Sequence, residues 1–234
     1  MEGEKDMKIG ILCAGDGETA PFLSLLAEHT VEEKAKLEFY QGKMGNAEVV
    51  LVCSGVCKVN AAIAAQILID RYDCDGVINA GTAGAMDSGL EVFDTVVSTN
   101  AVYHDVEERL LREYHPHLPS RGFLADTSLL ALARIAAGQL QATHKTVFGR
   151  MATGESFIEG QRREEINALY QPLSVDMETA SVAHVCYVNE IPFIAVRTLT
   201  DTASRDAKNN FRANQEKASY LSATFVRTML QALE

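Results

Sequence analysis

The chain has 234 residues, with 32 acidic and 21 basic side chains, so its net charge at neutral pH is −11. An acidic surface disfavours nucleic acid and anionic membranes, and we expect neither as a partner. Hydrophobic residues make up 47% of the chain, which is typical of a globular protein with a buried core. No apolar run approaches the roughly 20 residues that span a bilayer, and the charged first seven residues are unlike a signal peptide. The sequence therefore predicts a soluble, cytoplasmic protein.

The five cysteines are odd in number and lie mostly in apolar runs, where cysteine behaves as a small buried hydrophobe. We interpret them as reduced thiols. Cys53 and Cys57 are four residues apart, but no second cysteine pair or nearby histidine completes a tetrahedral metal site. We expect no bound metal and no other cofactor.

Short apolar runs predict buried strands, and amphipathic segments between them predict helices. In chain order we predict a strand over 8–14, a helix over 18–29, a hairpin over 37–52 around the Met-Gly-Asn turn with its second strand at 48–55, a helix over 57–72, strands over 76–81 and 92–99, an irregular segment over 103–121, helices over 127–140 and 161–170, a strand over 173–177, a helix over 178–190, a strand over 192–200 and a helix over 210–234.

This alternation predicts an α/β fold, a single-domain three-layer sandwich in which helices flank a central mixed, mostly parallel twisted sheet. Residues 7–234 would form the domain, and residues 1–6 an N-terminal extension.

Polar side chains follow several of the predicted strands. In open α/β sheets, ligands bind beyond the carboxyl ends of the strands, so these side chains are expected to converge. They comprise three carboxylates, an arginine inside an apolar run and a hydroxyl in a Gly-rich turn: Glu18, Glu178, Asp201, Arg197 and Thr82. Without a histidine and with an arginine present, the set predicts an acid/base site and not a metal site.

Structural explanations compete with functional ones at most of these positions. Glu18 and Glu178 would each suit the first turn of a helix, and Asp201 a turn. Gly81-Thr-Ala-Gly84 could be a plain tight turn. Arg197 differs, because a buried arginine needs an anionic partner.

Three further features are explained most simply by structure. The pair His104-Asp105 is more often a loop hydrogen bond than a catalytic pair, and His184 is most simply a core histidine. By composition alone, Met177 and Phe157 would be core residues.

Seven segments, in the same order along the chain, carry a family resemblance. They are residues 8–18 (KIGILCAGDGE), 54–62 (SGVCKVNAA), 77–84 (VINAGTAG), 103–105 (YHD), 154–158 (GESFI), 175–186 (VDMETASVAHVC) and 192–201 (PFIAVRTLTD). Together they resemble the 5′-methylthioadenosine/S-adenosylhomocysteine nucleosidases, within the purine nucleoside phosphorylase-like superfamily. The resemblance implies that superfamily's fold, hydrolytic release of adenine from both nucleosides, and a homodimer. The apolar segment 56–69 would suit the dimer contact or an internal core helix.

The resemblance also implies residue roles. Asp201 is similar to the acid that protonates adenine N7, and Glu18 to the base that activates water, which Arg197 and Thr82 help to hold. Glu178 and Met177 resemble the residues that bind the ribose. Phe157 would stack on the purine, while the main chain of Ile158 reads its Watson–Crick edge. The remaining substrate-binding positions are Ala83, Gly84 and Thr200.

These residue types suit the chemistry. Cleavage of an N-glycosidic bond makes the ribose cationic and the base anionic, so a site needs carboxylates near the sugar and an acid near the base. We expect Asp201 to be protonated when substrate is bound, since crowding of Glu18, Glu178 and Asp201 would raise the pKa of one of them.

Several positions depart from the family pattern. Thr82, Glu155, Asp176 and Thr200 keep the usual chemical type, whereas Gly15 stands where methionine is usual and enlarges the sugar end of the pocket. Residues 106–121 also differ, in the region that closes the 5′ subsite.

The substrate could therefore instead be 5′-deoxyadenosine or aminodeoxyfutalosine. A nucleoside phosphorylase is less favoured, because Asn79 replaces an arginine and residues 77–96 include no basic residue. A non-catalytic adenosine-binding protein is a further alternative, though it would have no need of both acid and base.

Overall fold

Ten strands and seven helices form within the residues that a computed structural model of the chain describes, 7–140, 144–202 and 207–233. The strands are β1 (Lys8–Cys13), β2 (Ala27–Lys34), β3 (Leu37–Met44), β4 (Ala47–Cys53), β5 (Gly76–Ala85), β6 (Thr95–Tyr103), β7 (Phe123–Leu124), β8 (Thr146–Thr153), β9 (Ser174–Asp176) and β10 (Phe193–Asp201). The helices are α1 (Asp16–Leu25), α2 (Lys58–Asp70), α3 (Glu108–Glu113), α4 (Thr127–Gln139), α5 (Gln161–Tyr170), α6 (Thr179–Val188) and α7 (Ala207–Gln231).

The strands form one sheet in the order β10-β6-β8-β9-β5-β1-β4-β3-β2, with β7 beside β6. Because β10 also pairs with β5, five strands (β5, β9, β8, β6 and β10) close into a ring. Strands β4, β1, β5 and β10 run parallel at the centre. The mixed sheet is confirmed: parallel and antiparallel strand pairs are equally many among the described strands, and most of the paired residues belong to the parallel pairs.

Helices cover both faces of the sheet, as predicted. Ile11 and Leu12, successive residues of β1, point to opposite faces and join different hydrophobic clusters. Helices α2 and α6 pack against the cluster that contains Leu12, and α1, α4 and α7 pack against the one that contains Ile11. Burial on both faces is the reason that the strand sequences are continuous apolar runs instead of alternating ones.

Three strands were missed by the sequence analysis: β2, β8 and the two-residue β7. Strand β2 lies at the sheet edge and is almost wholly exposed, so it carries no apolar signal, and the predicted first helix ends at Leu25 instead of His29. Strand β8 has Gly149 and Arg150 in its middle, and only its last three residues are buried. Its pairing with β6 and β9 is a tertiary contact that a local pattern cannot show.

Other predicted boundaries shift by a few residues. The predicted turn at 81–84 is wrong, because β5 continues through it to Ala85, paired with β10. The predicted irregular segment 103–121 contains the short helix α3, and the predicted hairpin over 37–52 is confirmed in β3 and β4. The predicted extension, residues 1–6, lies outside the described residues, as does the end of the last predicted helix.

In the described part of the chain, no helix is long and apolar enough to cross a membrane.

Candidate active site

A cavity of about 270 Å³ opens where β1, β5, β9 and β10 end. Ten of the eleven predicted site residues line it: Glu18, Thr82, Ala83, Gly84, Phe157, Ile158, Met177, Glu178, Thr200 and Asp201. Arg197, the eleventh, lies behind the cavity wall and is fully buried. The structure therefore brings the predicted side chains at these strand ends together around one cavity.

Glu18, in the first turn of α1, is fixed by bonds to three donors. Its Oε2 accepts from the Ala14 amide at 2.9 Å, and its Oε1 accepts from both the amide and the hydroxyl of Thr82 at 2.7 Å. The carboxylate is buried, yet it lines the cavity. The amide of Ala14, just after β1, and Thr82 of the neighbouring β5 thus hold this carboxylate in a single orientation.

Arg197 in β10 lies among three carboxylates. Its guanidinium lies 3.3 Å from Glu178 Oε2, 3.6 Å from Asp176 Oδ2 and 3.9 Å from Glu18 Oε1. It also donates to Asn79 Oδ1 at 2.6 Å and to the Thr82 carbonyl at 3.3 Å. Burial opposes the positive charge, but the carboxylates raise the pKa of Arg197, so the guanidinium stays protonated.

Glu178 lies just before α6, and each of its two carboxylate oxygens contacts a different partner. Its Oε1 accepts from the Cys57 amide at 2.9 Å, and its Oε2 faces Arg197. Burial raises the pKa of Glu178 to about 7, against the opposing attraction of Arg197. Near neutral pH the side chain is therefore poised between its two protonation states.

Asp201 ends β10 and contacts Arg163 instead of the other site carboxylates. Its Oδ2 accepts from Arg163 Nη2 at 2.6 Å, and its Oδ1 from the Thr200 hydroxyl at 2.9 Å. Burial raises the pKa of Asp201, while Arg163 works to lower it. The predicted direction is correct, but the predicted cause, crowding by Glu18 and Glu178, is wrong.

The glycines of the segment 81–84 make room for these carboxylates. Gly81 has a φ of +150°, and a Cβ there would lie 2.5 Å from the Glu18 carboxyl group. A Cβ at Gly84 would lie 2.8 Å from Arg163 Nη2 and 3.1 Å from Asp201 Oδ2. The Gly-x-x-Gly spacing thus serves the site, and the plain-turn explanation is wrong.

Two aromatic side chains, Phe157 and Phe211, form part of the cavity wall. Phe157 is 37% exposed, and its ring centre lies 6.2 Å from that of Phe211, which α7 contributes. Both line the cavity, together with Met177. An apolar, partly open wall of this kind suits a flat ligand ring.

Nine of the residues that line the cavity were not among the predicted site residues, and three of these nine carry a charge or an aromatic ring: Arg163, Asp176 and Phe211. Arg163 lies three residues before Ile166, and these two are the buried residues of α5. That spacing was a usable signal, since it places Arg163 on the inner face of the helix. Asp176 is held by the Thr153 hydroxyl at 2.7 Å and by two amides at the start of α6.

His104 and His184, the two histidines considered in the sequence analysis, do not line the cavity. Asp105 accepts from Lys58 Nζ at 3.0 Å and from the Glu155 amide at 2.9 Å, so it does not orient His104. Within the described residues, neither ring nitrogen of His104 has a partner. His184 stacks on Phe123 with ring centres 4.9 Å apart, which agrees with a structural role.

The buried charges of the site do not cancel. Among the described ion pairs, the carboxyl groups of Glu18, Asp176 and Glu178 face the single guanidinium of Arg197, and a negative excess remains even when Glu178, whose pKa is about 7, is protonated. A negative excess in a cavity of low polarity stabilises a positive charge that develops on a bound molecule.

A family model and the sequences of known proteins both assign the chain to one family. The family model of the Phosphorylase superfamily matches residues 8–231. A 5′-methylthioadenosine/S-adenosylhomocysteine nucleosidase of Bacillus thuringiensis (strain Al Hakam) is 34% identical over 97% of this chain and 100% of its own length.

Solved structures agree. A nucleosidase of this kind from Colwellia psychrerythraea 34H, in complex with adenine, is 34% identical, covers 97% of this chain and 95% of its own, and has a TM-score of 0.90. A futalosine hydrolase of Helicobacter pylori is 29% identical, covers 97% and 98% of the two chains, and has a TM-score of 0.87.

Replacing Gly81 by alanine is expected to destabilise the protein. The new methyl group would collide with the Glu18 carboxyl group, and the backbone would be strained at positive φ, which together cost about 1–3 kcal/mol or more. Urea denaturation measures the loss. The control is Gly138→Ala in α4, where a Cβ meets no atom within 4 Å and the expected change is a gain of about 0.5–1 kcal/mol. Equal stability of the two variants would contradict the close approach at Gly81.

Titration of Glu178 is expected to make stability depend on pH. Its pKa is about 7 in the folded protein against 4.5 ordinarily, so between these values the folded state holds more protons than the unfolded state. Stability therefore falls as pH rises from about 4.5 to 7, by up to about 3 kcal/mol. Melting temperatures from pH 4.5 to 8 measure this slope.

Glu178→Gln is expected to flatten that slope, since glutamine does not titrate. Glu165→Gln, at an exposed position, is the matched control, and its stability should depend on pH with the same slope as that of the wild type. A slope that is identical in Glu178→Gln and the wild type would show that Glu178 is not the titrating group. Asp201, whose pKa is also raised, contributes a remainder of the same sign.

Proposed function

This chain belongs to the Phosphorylase superfamily and, within it, to the 5′-methylthioadenosine/S-adenosylhomocysteine nucleosidases, and from that premise we propose that it hydrolyses the N-glycosidic bond of these two nucleosides. The products are adenine and the 5-thioribose derivative. The observation that carries the proposal is one cavity whose wall includes a carboxyl group of raised pKa, Asp201, and a separately anchored carboxylate, Glu18.

In the proposed mechanism, Asp201 acts on the leaving purine and Glu18 acts on the attacking water. The C1′–N9 bond breaks and its electron pair goes to the purine, while Asp201, protonated, gives its proton to N7 and makes adenine a better leaving group. Glu18 takes a proton from the attacking water, whose oxygen bonds to C1′. Thr82 and Arg197 orient Glu18 through the contacts described above and so help to place that water.

The other cavity residues would bind the substrate. Glu178 accepts hydrogen bonds from the ribose hydroxyls, and Met177 packs against the sugar. Phe157 stacks on the purine, and the main chain of Ile158 reads its Watson–Crick edge. The negative excess around Arg197 stabilises the cationic ribose of the transition state. Ala83, Gly84 and Thr200 complete the wall beside Asp201.

Water is favoured over phosphate as the nucleophile. Asn79, where related phosphorylases carry an arginine, is engaged inside the protein: its amide accepts from Arg197 at 2.6 Å and donates to the Leu12 carbonyl at 3.0 Å. Phosphate binding needs cationic donors directed at the ligand. The described cavity lining offers one arginine, Arg163, and it is paired with Asp201.

A related hydrolase with another 5′ substituent is the second candidate. A Cβ at Gly15 would meet no atom within 4 Å, so the cavity is open at the position where the family usually carries methionine. The similarity to a futalosine hydrolase agrees with a variable 5′ group. The candidates are 5′-deoxyadenosine and aminodeoxyfutalosine.

We propose a homodimer that forms through α2. Val56, Val59 and Ile63 lie on one side of this helix region and are 49%, 68% and 45% exposed. Exposed apolar stripes of this kind are typical of subunit contacts. Val56 also lines the cavity, so the contact would lie beside the active site. Residues 7–234 as one domain, and a cytoplasmic location, stay predictions.

Asp201→Asn is expected to lower turnover by about 100- to 10,000-fold, because asparagine cannot give a proton to N7. Adenine release from both nucleosides, measured in phosphate-free buffer, tests the variant and the reaction together. The exposed Asp70→Asn is the control and should keep wild-type rates. Urea denaturation is run beside it, since the change leaves Arg163 buried without its carboxylate. Strict dependence of the wild type on phosphate, or near-normal turnover by the folded Asp201→Asn variant, would overturn the mechanism.

Val59→Glu is expected to shift the protein from dimer to monomer, because it places a charge in the centre of the proposed contact. Sedimentation velocity measures the change. Val31→Glu, at a 51% exposed position on β2, is the matched control and should stay dimeric. A wild type that sediments as a monomer at micromolar concentration would contradict the proposal.

A further inference from the structure

Gln215 is a polar side chain on the face of α7 that lines the active-site cavity. Phe211, one turn earlier, lines the same cavity, and the hydroxyl of Ser222, two turns later, accepts from the Gly81 amide at 3.2 Å. Residues with these spacings lie on one side of a helix, so Gln215 belongs to the side of α7 that faces the site. The proposed mechanism gives this amide group no task.

The first turn of α1 contacts Gln215 from the other side. A Cβ at Gly17 would lie 3.2 Å from Gln215 Nε2 and 3.4 Å from its Cδ, so glycine at this position leaves the space that the amide group occupies. The side chain of Gln215 is half-buried, and among the described residues no hydrogen bond engages its amide group. Both its donor and its acceptor are therefore open to a molecule in the cavity.

This turn of α1 lies at the sugar end of the cavity. In the proposed mechanism, Asp201 is at the purine and Glu178 at the ribose. Gly15 lines the cavity too, and a Cβ there would meet no atom within 4 Å, so the wall is open at this position. Gly15 is two residues from Gly17, the neighbour of Gln215. The 5′ substituent, which extends from the ribose, is therefore the part of the substrate that lies next to Gln215.

The 5′ substituents of the two proposed substrates differ in what they offer to an amide group. The methylthio group of 5′-methylthioadenosine has no donor, and its sulfur is a weak acceptor. The homocysteine group of S-adenosylhomocysteine ends in an ammonium and a carboxylate. The Oε1 atom of Gln215 can accept from the ammonium, and its Nε2 can donate to the carboxylate. Because an amide is neutral, it binds both charged groups and repels neither.

We propose that Gln215 makes the enzyme selective for adenine nucleosides whose 5′ substituent ends in an amino-acid group, with S-adenosylhomocysteine favoured over substrates with an apolar 5′ group. Gly15 leaves room for a long substituent, and Gly17 leaves room for the amide group that binds it. Gln215 contacts the substituent and not the reacting atoms, so it determines specificity and takes no part in bond cleavage. This inference rests on the proposed hydrolysis at the same site.

The test compares S-adenosylhomocysteine with 5′-butylthioadenosine, which keeps the sulfur and the four-carbon chain but has no ammonium or carboxylate. We expect the wild type to favour S-adenosylhomocysteine in kcat/KM, measured as adenine release. Gln215→Leu should lower this preference by about 10-fold, the worth of a hydrogen bond to a charged group. The change should appear in KM for S-adenosylhomocysteine while kcat stays near the wild-type value, because the contact is the same in the ground state and the transition state.

Gly17→Ala tests the same contact from α1. Its methyl group would crowd Gln215 Nε2, so it should lower the preference in the same direction and by a smaller factor. Gln139→Leu, at an exposed position in α4, is the matched control and should leave both KM values unchanged. Adenine release from 5′-butylthioadenosine reports whether each variant folds, and Gly17→Ala decides if Gln215→Leu does not fold.

The outcomes separate the two proposals. A wild type that releases adenine from none of these nucleosides contradicts the proposed function itself. A wild type that favours 5′-butylthioadenosine, or a preference that is the same in the wild type and in Gln215→Leu, contradicts the role of Gln215 and leaves the proposed function intact.

Discussion

The buried guanidinium of Arg197 is the charge around which the active site is arranged. It lies in the middle of a central strand, where no water can compensate it, and three carboxylates from separate segments surround it. Removing one partner of such a buried group typically costs about 3–5 kcal/mol. The cluster therefore fixes Glu18 and Glu178 relative to β10, and it leaves a negative excess for the substrate.

The closed ring of strands explains why these groups can meet. Strand β10 pairs with β5 on one side and β6 on the other, so Asp201, at the end of β10, lies beside Gly84 of β5. Glycine at positions 81 and 84 lets two carboxylates approach the backbone of β5. The proposed acid, Asp201, thus lies at the end of β10, and the proposed base, Glu18 of α1, is held by Thr82 of the neighbouring β5, which is the rigid placement that catalysis requires.

Much of the site could be predicted because its signals are local. Glu18, Glu178 and Asp201 each follow a buried apolar run, and Arg197 interrupts one, so strand ends and a charge in a strand identified them. Arg163 carries a weaker signal, its position three residues before Ile166, because the rest of α5 has the polar sequence of a surface helix (QRREEINALY). The same holds for the fold. Strands with a continuous apolar sequence were predicted, whereas the exposed edge strand β2 and the weakly apolar β8 were missed because they form through pairing with other strands.

The sequence by itself determined the α/β class, the order of most elements, the family and ten of the residues that line the cavity. Periodicity and strand-end residues are local features of the sequence and identified Glu18, Thr82, Glu178 and Asp201. The family resemblance added the others: Ala83, Gly84, Phe157, Ile158, Met177 and Thr200. Only the tertiary structure decided that the sheet closes through β10 and β5, that Asp201 pairs with Arg163, and that burial instead of carboxylate crowding raises its pKa. These depend on distances between segments far apart in the chain, such as the 38 residues that separate Arg163 from Asp201.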